Sequence, residues 1–172
     1  MALLRILHYP EPILARASEP VAGVDESLKT LAADMAETMY AAPGVGLAAP
    51  QVGVSKRLVV IDCSPKDEAP RLIAAVNPEI VAREGEDFEE EGCLSVPGYY
   101  ARVSRSAWVK VRFLDLDGEE REMEADGLLA VAFQHEIDHL DGILFVDRLS
   151  ALKRNMFRKK YKKIMDQQQE QM

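Results

Sequence analysis

Apolar residues recur along this chain with two periods, and the switch between them divides it into elements. From Asp25 to about Tyr40, Leu28, Leu31, Met35 and Met39 return at the spacing of one buried helical face, with Lys29, Asp34 and Glu37 turned to water. Asp25 is a residue type that caps such a start. Ahead of it, Pro10, Pro12 and Pro20 predict irregular backbone over residues 1–24. Residues 57–63 are β-branched and bounded by Lys56 and Ser64-Pro65, which predicts a buried strand, with Cys63 packed as a small hydrophobe. Residues 72–83 read as a second extended stretch, interrupted at Asn77-Pro78. The acidic residues 84–91 predict a solvated loop or strand edge. Residues 107–116 and 119–124 predict a hairpin turning at Asp117-Gly118, its apolar side supplied by Trp108, Val109, Val111 and Phe113. Next, Leu128 to Phe133 is apolar on every side, as in a buried helix, with Asp126 as its cap and Gly142 as its stop. A last helix follows Ser150, with Leu152, Met156, Phe157, Tyr161 and Ile164 as its apolar stripe. The final Gln-rich residues are expected to fray.

With 172 residues, no internal repeat and no boundary in composition, the chain reads as a single domain spanning 1–172, long enough to bury a core. A net charge of -8 argues against DNA as a partner, because phosphate contacts need a basic surface. Cys63 and Cys93 make no disulfide framework and fit a reducing compartment. The N-terminus meets Pro10 too soon for a signal peptide, and no run reaches the length of a membrane span. The expected location is cytoplasmic. One segment departs from the acidic balance. Residues 150–172 form a basic helix and tail in which Lys153, Arg154, Arg158, Lys159, Lys160, Lys162 and Lys163 put seven positive charges into 11 residues. Such a run is a solvated face or a docking surface for RNA or another polyanion.

Within the buried helix stands His135-Glu136-Ile137-Asp138-His139. Residues four apart share a helical face, so both imidazoles can reach one metal ion. Glu136 sits one step round, placed to move a proton on a water at that ion. A catalytic divalent site needs a third protein ligand and an open position. His8, between Leu7 and Tyr9, has no partner at ligand spacing and reads as a surface or packing residue. Cys93 lies in Glu91-Gly92-Cys93-Leu94-Ser95-Val96-Pro97-Gly98, where glycine and proline mark a special backbone path. It is the best candidate for the third ligand; a buried inert thiol and a nucleophile paired with histidine are the alternatives.

A third segment, residues 44–53, holds Gly44, Gly46 and Gly53 with Pro50, so backbone there can approach a ligand closely. It matches neither a phosphate-binding P-loop nor a dinucleotide fingerprint. By composition a structural turn and a binding strand are equal readings. Gln51 offers an amide donor suited to a developing oxyanion.

Together the blocks Gly44–Gln51, Glu91–Ser95 and Gln134–Leu140 closely resemble the three signature motifs of the bacterial peptide deformylases, in order and spacing. The resemblance covers nearly the whole chain, and the long C-terminal helix looks like the type common in Gram-negative enzymes. It implies an α+β fold, with antiparallel β-sheets packed around a central helix bearing His-Glu-x-x-His, plus a C-terminal helix. It also implies that Cys93, His135 and His139 hold one divalent metal ion, natively Fe(II), with Zn, Ni or Co as substitutes. The implied activity is removal of the N-formyl group from formylmethionyl nascent peptides, releasing formate. A metal-activated water attacks, Glu136 moves the proton, and Gln51 with the backbone N–H of Leu94 helps the metal hold the oxyanion. The peptide is expected to lie as an added strand against Gly44, Val45, Gly46 and Gly92, with the methionine pocket formed by Val45, Glu91, Leu128, Val131 and His135. Tyr100 stands where some members carry Arg, so preferences beyond the methionine are expected to differ. The basic helix matches the part the family uses to dock near the ribosomal exit tunnel.

Two other readings use the same residues. A zinc peptidase of the His-Glu-x-x-His type would take its third ligand downstream of the helix, where no third His follows and Asp147 is the nearest plausible carboxylate. A metal-stapled domain that binds the ribosome through its basic helix would need four protein ligands and no Glu136.

Overall fold

The computed structural model describes residues 2–170. Seven strands, all paired antiparallel, form a five-stranded sheet in the order β1-β2-β3-β6-β7 and a separate two-stranded hairpin of β4 and β5. The strands are β1 (Gly46–Ala48), β2 (Leu58–Ile61), β3 (Ile73–Glu84), β4 (Asp87–Cys93), β5 (Val96–Arg105), β6 (Trp108–Leu114) and β7 (Glu120–Asp126). Three helices accompany them: α1 (Glu26–Ala41), α2 (Gly127–Leu140) and α3 (Ala151–Glu170). The α+β architecture matches the expectation.

Strand β2 shows how the layers arise. Its side chains alternate, so Leu58 and Val60 join the cluster with Leu28, Met35 and Met39 of α1, while Val59 and Ile61 join Phe133, Ile137 and Leu140 of α2. The sheet is therefore covered on both faces, which is why β2 reads as a continuous apolar run. A third cluster joins Val96 and Val103 of β5 to Phe145, Phe157 and Tyr161.

Asp25 caps α1 as expected, its carboxylate accepting the Leu28 N–H at 2.8 Å. Asp126 stands at the start of α2 but its side chain makes no cap bond. The other end of α2 is firmly closed. Gly142, at φ +77°, donates to His139 O and Ile143 donates to Asp138 O, the two bonds of a Schellman stop. Arg57 adds Nη1 to Leu140 O at 2.9 Å.

Local expectations change at some points. The break at Asn77-Pro78 is a register shift within a continuous β3, made by Asn77 at φ +50° while its amide bonds both backbone groups of Val21. Of the two readings for the acidic residues up to Glu91, the strand edge holds: β5 pairs with them in a two-stranded hairpin, and residues 88–90 stay exposed. Strand β5 itself went unread, hidden by Pro97-Gly98 at its start. On α3, Phe157 and Tyr161 are buried, but Leu152 and Met156 are exposed at 71% and 60%, so the apolar stripe is narrower than its spacing predicts. The fraying expected of the Gln-rich end falls partly on Gln171 and Met172, which lie outside the described residues; α3 runs to Glu170.

Candidate active site

Three segments far apart in sequence meet at a cleft of about 620 Å³. The edge strand β1 and the short 3-10 turn after it supply Gly46 and Gln51, the end of β4 supplies Cys93, and α2 supplies His135, Glu136 and His139. The N-terminal segment bonds to the backbone beside two of these segments, with Leu7 N–H on Gln51 O at 2.7 Å and Tyr9 N–H on Ser95 O at 2.8 Å.

At the floor, Cys93 Sγ lies 3.3 Å from His139 Nε2, which lies 3.2 Å from His135 Nε2. These three donor atoms fall within 4.8 Å of one another, a group able to hold one metal ion. One soft thiolate and two imidazoles suit a divalent transition metal with a fourth position left to the cleft. Asp147 is not in the group; its carboxylate accepts the Leu144 N–H within its own turn. His8 lines the cleft but is likewise outside the donor group.

Glu136 is buried beside the donors, and its Oε1 has no hydrogen-bond partner. Burial pushes this carboxyl up to about 7, against the pull of His135 and Arg105. A Cβ built on Gly46 would come within 2.5 Å of its Oε2. The glycine at position 46 therefore makes room for Glu136. Gln51 is 1% exposed; its Oε1 accepts the Ala48 N–H at 2.9 Å, and its Nε2 reaches Ser95 Oγ at 3.0 Å and Cys93 Sγ at 3.6 Å.

The other expected residues also line the cleft. Gly44, Val45 and Leu94 stand on one side, Gly92 and Tyr100 on another, and Leu128 and Val131 at the α2 wall. Tyr100 is 65% exposed, and its ring covers Gly92, where a Cβ would lie 2.5 Å from the ring edge.

Glu91 lines this cleft too, and its carboxylate makes contacts that its place in the sequence does not announce. It sits 3.0 Å from His135 Nδ1 and is gripped by Arg105, Nε to Oε2 and Nη2 to Oε1, both at 2.9 Å. Burial would raise the Glu91 carboxyl, but the bonds from Arg105 and His135 hold it below the usual range. Arg105 also binds Asp138, and Arg148 binds Asp138 with two nitrogens at 2.6 and 2.7 Å. Sequence reasoning missed Arg105, Asp138 and Arg148. Asp138 was visible as the charged residue inside an apolar helix, but nothing local names its partners.

Residues 3–155 match the family described as Polypeptide deformylase. The chain belongs to that family. A relative named Peptide deformylase from Thermodesulfovibrio yellowstonii is 54% identical over 162 residues, covering 94% of this chain and 98% of its own. The crystal structure of a peptide deformylase from Legionella pneumophila superposes with a TM-score of 0.89 at 52% identity, covering 96% of this chain and 97% of the other. That of the Ehrlichia chaffeensis peptide deformylase in complex with actinonin has a TM-score of 0.89 at 42% identity, covering 95% and 98%.

Proposed function

We propose that this chain hydrolyses the N-formyl group of formylmethionyl nascent peptides, releasing formate and a free α-amino group. The observation that carries the reading is the cluster of Cys93, His135 and His139 donors with the unpartnered carboxylate of Glu136 beside it, at the floor of an open cleft. Cys93, His135 and His139 would hold one divalent ion, Fe(II) natively, with Zn, Ni or Co able to replace it. Such an ion supplies Lewis acidity and an activated water near neutral pH. Glu136 accepts the proton of the attacking water and delivers it to the amine as the C–N bond breaks. The Gln51 amide, steadied through its Oε1, and the Leu94 N–H face the oxygen of the formyl carbon as it gains charge. Gly44 and Val45, just before the edge strand β1, with Gly46 on that strand and Gly92 of β4, would take the peptide as an added strand. Leu128, exposed at 56%, and Val131 give the methionine side chain an apolar wall.

The test is formate release from a formyl-Met tripeptide by anaerobically purified protein of measured metal content, beside an acetyl-Met peptide and an internal-bond substrate. Release from the formyl peptide alone, lost with chelator, supports the reading; no release from metal-loaded protein sinks it. Cleavage of the internal bond would favour the zinc peptidase.

The basic face of α3 and the cytoplasmic setting complete the proposal. Lys153, Lys159, Lys162 and Lys163 are exposed, as ribosomal RNA docking near the exit tunnel would need. Unchanged co-sedimentation with ribosomes after deletion of residues 153–172 would refute this part. Two free thiols fit the reducing cytoplasm. Among the described residues no helix is long and apolar enough to cross a membrane.

A further inference from the structure

We propose that Arg105 is a positioning residue for His135, acting through Glu91. It rests on the metal reading above and names a device that the chain uses to aim one of the three donors. The Arg105 guanidinium, on the last residue of β5, holds both oxygens of Glu91 at 2.9 Å. One of those oxygens is the partner of His135 Nδ1 at 3.0 Å. A carboxylate can only accept, so the imidazole carries its proton on Nδ1 and leaves the Nε2 lone pair facing His139 and Cys93. Without the two-nitrogen grip Glu91 could rotate, and the ring would lose both its plane and its tautomer.

The third arm explains why a guanidinium is needed. Arg105 Nη1 binds Asp138, which lies on α2 between the two histidines and is closed from outside by Arg148. Arg105 thus ties the strand that carries Glu91 to the helix that carries the donors. The side chains of Arg105, Glu91 and Asp138 are 3%, 5% and 9% exposed. A buried ion network of this kind is a poor source of stability, since apolar residues of equal volume commonly serve as well. Orientation of His135 accounts for it better than stability does.

The experiment uses the full chain loaded with Co(II), reading the visible spectrum and the Co(II) dissociation rate together with thermal unfolding of the metal-free protein. Arg105→Lys keeps the charge but loses the fork, and Glu91→Gln keeps the size but loses the charge. Each is expected to speed Co(II) loss about 10–100-fold, the range for outer partners of a metal ligand, and to shift the spectrum. The double variant should be no worse than the worse single. Arg148→Met breaks only the outer clamp on Asp138; it should lower the unfolding temperature while leaving spectrum and dissociation rate within about twofold of the parent. Parent-like spectrum and rate in Arg105→Lys and Glu91→Gln would overturn the proposal, as would an Arg148→Met effect on the rate equal to theirs. If Arg105→Lys does not fold, Glu91→Gln decides by the same criteria. Failure of the parent chain to bind Co(II) would overturn the metal reading itself, and this inference with it.

Discussion

The carboxylate of Glu136 occupies the space that a side chain at position 46 would take, with its Oε2 2.5 Å from where a Cβ on Gly46 would stand. An edge strand of the sheet and the central helix are thereby fitted to each other at the reacting centre. Gly46→Ala must push Glu136 aside, since the alternative is to move β1, which is paired through Gly46 to Ile61. The expected result is a loss of turnover approaching that of removing a general base, about 10²–10⁴-fold, with metal content retained. Steady-state kinetics and metal analysis on one preparation check it; unchanged kcat would mean that Glu136 has room that the geometry does not suggest.

Glu136→Gln should separate binding from turnover. The amide keeps the volume but cannot take a proton, so kcat should fall by about 10²–10⁴ while one metal ion per chain remains bound. Retained turnover would remove Glu136 from the mechanism.

Gly142 combines two constraints, a left-handed backbone and a close backbone neighbour, and Gly118 has only the first. It sits at φ +77° in the stop of α2, and a Cβ there would lie 2.8 Å from Ala15 backbone. Asn tolerates the left-handed conformation better than Ala does. Because the clash is with backbone, both Gly142→Ala and Gly142→Asn should destabilise by about 2 kcal/mol or more. At Gly118, also left-handed at φ +80° but with open space around it, Asn should be tolerated within about 0.5 kcal/mol. Urea denaturation of the three variants provides the check.

On α3, neighbouring residues should respond very differently. Phe157 is 2% exposed and packs edge-on against Tyr9 and Tyr99, with ring centroids 5.3 and 4.8 Å away. Phe157→Ala is expected to cost about 3–5 kcal/mol, and Met156→Ala, on the exposed side, less than about 0.5 kcal/mol. Equal costs, measured by thermal unfolding, would put the helix in a different rotation.

Acid sensitivity should be traceable to Asp62. Burial raises its carboxyl, but hydrogen bonds from Ser64, the Tyr40 hydroxyl and the Arg71 N–H outweigh this and hold it below its ordinary value. The same contact, after burial, contributes to lifting the Tyr40 phenol to about 12. A depressed folded pKa gives stability that is complete above the unfolded value of about 3.9 and is lost as pH falls through the folded value. Asp62→Asn should therefore be less stable than the parent at pH 7 and converge with it in acid. Parallel curves of urea midpoint against pH would contradict the assignment.

Much of this was legible from local pattern. The helix bearing His135 and His139 could be read because a four-residue spacing sets a common face wherever a helix forms, and α1 and the β6–β7 hairpin followed from caps, turns and period. The three motif blocks carried the family resemblance because each is a contiguous run. What the sequence by itself determined was thus the helices, the β2 strand and the β6–β7 hairpin, the fold class through resemblance, and the residue types able to hold a metal.

Tertiary structure decided what depends on distance between remote segments. Cys93 reaches His139 across 46 positions because side-chain bonds tie the β4–β5 hairpin to α2, Glu91 to His135 and Arg105 to Asp138. That Glu91 is also the partner of His135 is decided by Arg105, fourteen residues on, which lies beside it in the folded hairpin. The exposure of Leu152 and Met156 had the same origin: periodicity says which side chains share a face, and only the packed neighbours say how much of that face is covered. Hydrophobic period acts over a few residues, whereas ion pairs and ligand geometry form between chain segments whose meeting no local rule encodes.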